Sequence, residues 1–239
     1  MNQNLNIALL GYGKMGKMIE ALAEEQHLVI DAVFDEYNPL KNDEKTRKML
    51  KKTDVLIDFS VPSAVIENVK LAADMKKNLV IGTTGWYDQE NVVRDMVISG
   101  GIGVIYGSNF SLGVNLFFRV SEYAARLFSA FQSYDPYIEE AHHKMKKDAP
   151  SGTALVIKKL ISGNYPDKEI PVSSVRSGYI PGTHSVSFDS AVDSVRLEHT
   201  ARSRVGFAEG AILAAKWLKD KTGFYEFPDV VDSILGSDK

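Results

Sequence analysis

Cysteine is absent from the 239 residues. Its absence excludes disulfides, thiolate metal sites and any catalytic thiol. Long apolar runs are missing too, and nothing approaches the ~18 consecutive apolar residues of a membrane span. A large charge of either sign is also lacking, because the formal net charge is -3 at pH 7. Bulk electrostatics therefore give no reason to expect nucleic acid or an anionic membrane as a partner. The opening Met1-Asn2-Gln3-Asn4-Leu5 lacks the basic start of a signal peptide and runs directly into a strand-like segment. A cytoplasmic protein is expected. No internal repeat or low-complexity linker breaks the chain.

What is present is an α/β rhythm. The apolar run Asn6–Leu10 reads as a buried parallel strand. It leads into Gly11-Tyr12-Gly13-Lys14-Met15-Gly16 and then a helical pattern over Lys17–Glu25. This is G-x-G-x-x-G between a strand and a helix, the context that a dinucleotide loop requires. The three glycines there serve a tight turn, close approach of a pyrophosphate, and close helix–strand packing. A second strand, Leu28–Phe34, ends at Asp35, about 20 residues beyond the glycines, where an acid meets ribose hydroxyls. The plain alternative is a glycine-rich turn of another α/β protein, with Asp35 a solvated strand end.

Strands at Asp54–Phe59, Asn78–Gly82 and Gly103–Tyr106 alternate with helices that open at Ser60-Val61-Pro62 and near Asp88–Val97. The alternation predicts a Rossmann-type, doubly wound parallel sheet. Ligands of such sheets bind beyond the carboxyl ends of the strands. There lie the glycine loop, Phe59 and Ser60, Gly82-Thr83-Thr84-Gly85, and Gly107-Ser108-Asn109-Phe110. Each of the last three is also an ordinary turn, and together they suit one dinucleotide.

After Phe110 the rhythm changes. A long amphipathic helix over Val114–Gln132 precedes a strand at Tyr137–His142 and a helix from Ser151 to Ser162. Strands follow at Val172–Arg176, His184–Phe188 and Ser194–Thr200, which predicts an α+β domain with a mostly antiparallel sheet. Helices over Phe207–Lys219 and Phe227–Leu235 return to the first domain. The expected division is 1–110 with 207–239, and 111–206.

The densest chemistry lies in Glu139–Ala154, which holds His142, His143, Lys144, Lys146 and Lys147, then Asp148-Ala149-Pro150-Ser151-Gly152-Thr153. Ser151 suits the N-cap of the helix that follows. A helix N-terminus presents free N–H groups and partial positive charge, so the backbone and hydroxyls of Ser151, Gly152 and Thr153 suit a carboxylate. His142 and Lys146 flank a three-residue spacer and suit general acid work beside a hydride acceptor. Lys144 and Lys147 raise the local positive potential. The same residues also read as a packed histidine pair, a solvated lysine face and a helix cap. The histidine pair invites a metal, but zinc needs three or four ligands. His27, His184 and His199 show no ligand spacing with it, so no metal is expected.

On these residues the chain resembles the dihydrodipicolinate reductase family. The resemblance rests on Glu140-Ala-His-His-Lys-Met-Lys-Lys-Asp-Ala-Pro-Ser-Gly-Thr-Ala154, and on Gly11–Gly16, Asp58-Phe59-Ser60, Gly82–Gly85, Ser108–Ser111 and Ser203–Phe207, in that order along the chain. It implies reduction of a cyclic dicarboxylate, 4-hydroxy-tetrahydrodipicolinate, to tetrahydrodipicolinate by NADH or NADPH in lysine and diaminopimelate synthesis. His142 takes the catalytic acid–base position and Lys146 that of the proton donor. His143, Ser151, Gly152 and Thr153 fall at the substrate. Gly11, Tyr12, Gly13, Lys14, Met15, Gly16, Asp35, Phe59, Ser60, Gly82, Thr83, Thr84, Gly107, Ser108, Asn109 and Phe110 fall at the cofactor. The first domain would then bind the dinucleotide, and the second would bind substrate and assemble a homotetramer through its sheet. Two departures stand out. The segment between Asp35 and Asp54 is short, and Asp35 is followed by Glu36 and Tyr37 where some relatives carry an arginine for the 2′-phosphate of NADPH. Two acids there disfavour that phosphate, so NADH is the expected preference, with Lys14 a group that favours NADPH. Another two-domain nicotinamide reductase, or a dinucleotide sensor without turnover, is the competing reading.

Overall fold

The computed structural model describes residues 4–236. In chain order the elements are β1 (Leu5–Leu10), α1 (Lys14–Ala21), β2 (Leu28–Phe34), α2 (Glu44–Met49), β3 (Val55–Asp58), α3 (Val65–Asp74), β4 (Asn78–Ile81), α4 (Glu90–Gly100) and β5 (Gly103–Tyr106). There follow α5 (Leu112–Phe128), β6 (Asp135–His142), α6 (Gly152–Ser162), β7 (Val172–Arg176), β8 (Thr183–Asp189), β9 (Ser194–Thr200), α7 (Val205–Leu218), β10 (Gly223–Glu226) and α8 (Phe227–Ile234). The chain divides into two compact units, Met1–Leu112 with Val205–Lys239, and Gly113–Arg204.

In the first unit six strands form one parallel sheet in the order β10-β5-β4-β3-β1-β2. Its strands are apolar on both faces because helices cover both. On one side Val65, Val69 and Ala72 of α3 and Val93 and Val97 of α4 join Leu56, Leu79 and Val104 in one core. On the other, Ile19 of α1, Ala208, Ala211, Ile212 and Ala215 of α7, and Val230 of α8 join Leu9, Ile57, Val80 and Ile105. Two elements differ from the sequence pattern. α1 starts at Lys14, directly on its cap Gly13, and stops at Ala21. The expected last turn instead bends back through His27, whose φ is 56°. β10 has no sequence signal, because Gly-Phe-Tyr-Glu between two helices is too short to carry a period; pairing with β5 creates it.

In the second unit four strands lie in the order β7-β6-β8-β9. β6–β8 and β8–β9 are antiparallel, whereas β6–β7 is parallel and joined by α6. The registers set out two faces. One carries Ile138, Glu140 and His142 of β6, Val172 and Arg176 of β7, and His184, Val186 and Phe188 of β8. Val114, Phe117 and Phe118 of α5 and Ala154, Ile157 and Ile161 of α6 share its apolar core. The opposite face carries Glu139, Arg196 and Glu198, linked by ion pairs of 2.5 and 3.0 Å through Arg196.

α7 lies close to the sheet because its facing residues are small. A Cβ built on Gly210 would stand 1.7 Å from the Phe110 carbonyl oxygen, whereas one on Gly163 meets only Leu160 O at 3.9 Å. Gly210→Ala is therefore expected to destabilise the first unit by about 2 kcal/mol or more. Gly163→Ala should change stability by less than about 1 kcal/mol. Urea unfolding of both variants checks this, and equal midpoints would contradict the packing described.

Candidate active site

The glycine loop begins where β1 ends. Gly11 has φ 90°, and a Cβ there would stand 2.4 Å from the Phe59 carbonyl oxygen. A Cβ on Gly16 would stand 2.4 Å from the carbonyl oxygen of Gly11, so this glycine closes helix against turn. Gly13 caps α1, and a Cβ on it would meet nothing within 4 Å. No acidic residue occupies the first turn of α1. An exposed glycine at a helix N-terminus, open on its Cβ side, lets a diphosphate approach the backbone. Tyr12 donates its hydroxyl hydrogen to Glu20, and Lys17 Nζ lies 5.6 Å from the Tyr12 ring.

Asp35 ends β2. Its Oδ1 accepts the N–H groups of Tyr37 and Asn38, each at 2.9 Å.

Asp58, at the end of β3, is fully buried. It accepts from Ser60 N (2.8 Å), Ser60 Oγ (2.7 Å), Asn68 Nδ2 (2.8 Å) and Thr83 Oγ1 (2.9 Å). One carboxylate thereby ties the loop after β3 to the loop after β4. The Phe59 ring packs edge-on against Phe110 at 6.3 Å. It also fills the space where a Cβ on Gly82 would be, 2.1 Å away. Gly107 sits against Phe227, and Asn109 Oδ1 accepts from Ser111 N at 2.9 Å. Thr84 and Ser108 are exposed. The sheet thus gathers the glycine loop, Phe59 and Ser60, Gly82–Thr84 and Gly107–Phe110 at the carboxyl ends of the neighbouring strands β1, β3, β4 and β5. These residues fit a dinucleotide: an open glycine at a helix start, a terminal acid, and short loops locked from beneath.

The second unit holds the histidine and lysine cluster. His142 is the last residue of β6 and is buried, 8% exposed. Its Nδ1 donates to Glu140 Oε2 at 2.5 Å. Arg176 forks onto the same carboxylate, Nη1 to Oε2 at 2.9 Å and Nη2 to Oε1 at 2.6 Å. Burial opposes ionisation of Glu140, but the Arg176 guanidinium overcomes it, with help from Ser174 and His142, and the carboxyl is held down to about 2. Burial lowers the pKa of His142, with Lys146 and Arg176 acting against the pull of Glu140. The imidazole is accordingly neutral at neutral pH, with its proton on Nδ1 and a lone pair on Nε2.

Beyond His142 the chain makes a turn closed by Lys146 N donating to His143 O at 3.0 Å. Lys146 Nζ pairs with Asp148 at 2.8 Å and is partly covered. Nδ1 of His143 is buried without a hydrogen-bond partner. Lys144 and Lys147 are exposed.

α6 then starts at Gly152. Ser151 Oγ accepts from Ala154 N at 3.2 Å and lies 3.0 Å from His184 Nε2. The Ser151 hydroxyl is buried in this cap, which leaves the Gly152 and Thr153 backbone as the accessible part of the helix start. A Cβ on Gly152 would meet nothing within 4 Å and the first turn holds no acid, while the Asp148 carboxylate, held down chiefly by Lys146, also draws on the Gly152 N–H, so this helix start already faces one anion of the chain itself.

Spacing along the chain relates His184 to neither histidine of the pair. The β6–β8 register sets it opposite Glu140, with its ring 5.0 Å from that of His142. Glu140, His142 and His184 each offer a ligand atom, all within 4.8 Å of one another. Both carboxylate oxygens already accept from Arg176, whose cation opposes a second cation, so the three groups fit an ion-pair network better than a metal.

Asp58, Glu140, Arg176 and His184 are the residues that sequence reasoning did not assign. Asp58 and Glu140 lie inside segments it singled out. Arg176 and His184 join the cluster only through strand pairing.

The family described as dihydrodipicolinate reductase, N-terminus, matches residues 5–110, and the one described as dihydrodipicolinate reductase, C-terminus, matches residues 113–231. The 4-hydroxy-tetrahydrodipicolinate reductase of Christiangramia forsetii is 39% identical over 244 residues, covering 97% of this chain and 99% of that protein. The one from Methanosarcina barkeri is 36% identical over 264 residues, covering 95% and 99%. A solved structure of dipicolinate-bound dihydrodipicolinate reductase from Paenisporosarcina sp. TG-14 superposes with a TM-score of 0.80 at 24% identity, over 95% of this chain and 100% of that one. That likeness bears on the fold alone.

Burial and then His142 push His184 down to about 4. A histidine unfolds to a pKa of about 6.5, so this group's contribution is fully present above that pH and is lost as pH falls through about 4. Glu140 contributes in the same sense further down, between its ordinary range and about 2. Acid should thus destabilise the protein in two stages. His184→Gln should flatten the first stage, by up to roughly 3 kcal/mol between neutral pH and pH ~4. Unfolding free energies across that range check this; parallel curves for variant and wild type would contradict it.

Proposed function

The chain belongs to the dihydrodipicolinate reductase family of pyridine-nucleotide-dependent oxidoreductases, and from that premise we propose that it reduces 4-hydroxy-tetrahydrodipicolinate to tetrahydrodipicolinate in lysine and diaminopimelate synthesis. The observation that carries this reading is the loop from His142 to Thr153. It joins a neutral, buried imidazole, a lysine and a helix N-terminus within one turn-and-cap segment of the second unit. A dicarboxylate needs such an anion pocket, and a reduction that replaces hydroxyl by hydrogen consumes one proton and releases water. The first unit supports the cofactor assignment through Gly11–Gly16, Asp35, Phe59 and Ser60, Gly82–Thr84 and Gly107–Phe110.

When bound there, a reduced nicotinamide supplies the hydride. The chain's own residues do the rest. Gly152 and Thr153 hold one substrate carboxylate through backbone N–H groups and the Thr153 hydroxyl. The unpartnered Nδ1 of His143 is a further polar contact for substrate. Lys146 is the proton donor, its ammonium held by Asp148 until substrate draws it in. His142, neutral and with Nε2 free, orients the substrate and exchanges a proton at that atom, while Glu140 stabilises the imidazolium formed. We also assign the protein to the cytoplasm. Among the described residues no helix is long and apolar enough to cross a membrane. We take the assembly to be a homotetramer built through the second unit's sheet. Sedimentation of the purified chain tests the assembly.

NADH oxidation with enzymatically generated substrate tests the activity. Turnover supports the reading, and NADH binding without turnover would make the protein a dinucleotide sensor. Lys146→Ala should lower kcat by about 100-fold or more while NADH affinity stays near wild type. Thr153→Val should act mainly on substrate KM, by about tenfold. Unchanged turnover in the first, or an effect on cofactor affinity in the second, would contradict the roles assigned. Glu36 and Tyr37 are exposed beyond Asp35. Two carboxylates beside a 2′-phosphate repel it, so kcat/KM should be higher with NADH than with NADPH. The reverse order, measured at equal ionic strength, would overturn that preference.

A further inference from the structure

We infer that Glu140 and Arg176 are positioning residues for this reaction: one buried ion pair fixes the catalytic loop at both of its ends. This rests on the reading of His142 and of the α6 N-terminus given above.

The geometry is specific to that task. Glu140 has no exposed side-chain surface, and its two oxygens divide the loop between them. Oε2 accepts from His142 Nδ1 at 2.5 Å, where the loop begins. Oε1 accepts from Ser151 N at 3.3 Å, where the loop ends and α6 begins. Arg176 forks onto both oxygens, and its Nη2 also donates to the Asp148 carbonyl oxygen at 2.6 Å, in the middle of the loop. One carboxylate and its cation thus contact residues 142, 148 and 151, while the segment between them carries His143 and Lys146.

Stability alone does not account for the pair. Glu140 and Arg176 lie on the helix-facing side of the sheet, beside Ile138 and Val172 of the apolar core. A buried ion pair is commonly no more stable than the apolar residues that would fill the same place. Its advantage is direction. A carboxylate on Nδ1 selects one tautomer of His142 and leaves Nε2, which lies beside Gly182, as the acceptor nitrogen, as the partner groups of ligating and catalytic histidines do. The groups facing His142 are Glu140 on its own strand, Arg176 on β7, His184 on β8 and Lys146 from the loop. Glu140 alone is anionic, so it alone favours protonation of the imidazole.

The test uses the full-length protein with Glu140→Gln, Glu140→Asp, Arg176→Gln, the double variant Glu140→Gln/Arg176→Gln, and His142→Gln. Glu140→Gln should lower kcat by about 10–100-fold, the range seen when a histidine's orienting partner is removed. NADH affinity, a property of the first unit, should stay within about twofold. The acid limb of the kcat/KM profile should move to lower pH, because the anion that raises the His142 pKa is gone. A role in folding alone leaves that limb in place. The double variant should be no worse than the more impaired single variant, since the two side chains act as a unit. Glu140→Asp keeps Arg176 paired and the charge in place but falls short of His142, so it loses the hydrogen bond and shows a smaller pH shift in the same direction, even where the glutamine variant fails to fold. Activity within about threefold of wild type with an unmoved pH profile, in whichever of these two variants folds, would overturn the inference, as would losses that simply add. His142→Gln separates the two levels. If it is active, the reading of His142 fails; if it is inactive while the Glu140 variants remain active, only the positioning role fails.

Discussion

A buried carboxylate must be surrounded by donors, and Glu140 meets that requirement in a way that organises the second unit around it. Two Arg176 nitrogens, the His142 imidazole and the Ser151 N–H donate to it, and Ser174 adds to them. Left unpaired, the charge would cost several kcal/mol in an interior site. The parallel β6–β7 pairing that brings Arg176 alongside, the sharp exit from β6 at His142 and the start of α6 at Ser151 are therefore coupled: none moves without exposing the charge to an apolar core. The chemical state of His142 depends on the same contact.

The first unit uses a similar device. Asp58 is buried without a cation, and four neutral donors from Ser60, Asn68 and Thr83 satisfy it. It locks the loops that follow β3 and β4, and the Phe59 ring above it depends on glycine at position 82. In both units, then, an acid at or near a strand's carboxyl end holds the loops proposed to meet the ligand. The loops so held present glycines, hydroxyls and main-chain N–H groups, which need no reorganisation when charge arrives.

Much of this was legible before any coordinates. Strand–glycine loop–helix, the α/β alternation and the Ser151 cap follow from local rules, and local rules act over a few residues. What stayed hidden depends on register. Glu139 and Glu140 are alike in the sequence, yet one faces Arg196 on the outer face and the other is sealed beneath α6 with Arg176. His184 is far along the chain from His142 and meets it only because β8 runs antiparallel to β6 in one particular pairing. β10 exists only because β5 offers an edge to it. The resemblance to a reductase family identified the loop but gave Glu140 no task, since position in a motif does not say which way a side chain points.

Burial keeps His142 neutral, and the Glu140 carboxylate fixes the remaining proton on Nδ1. Nitrogen NMR of the histidine-labelled protein reads that state directly, with His142→Gln identifying the signal. At neutral pH His142 should show a protonated, pyrrole-like Nδ1 and a bare, pyridine-like Nε2. An imidazolium at neutral pH, or the opposite tautomer, would contradict this assignment.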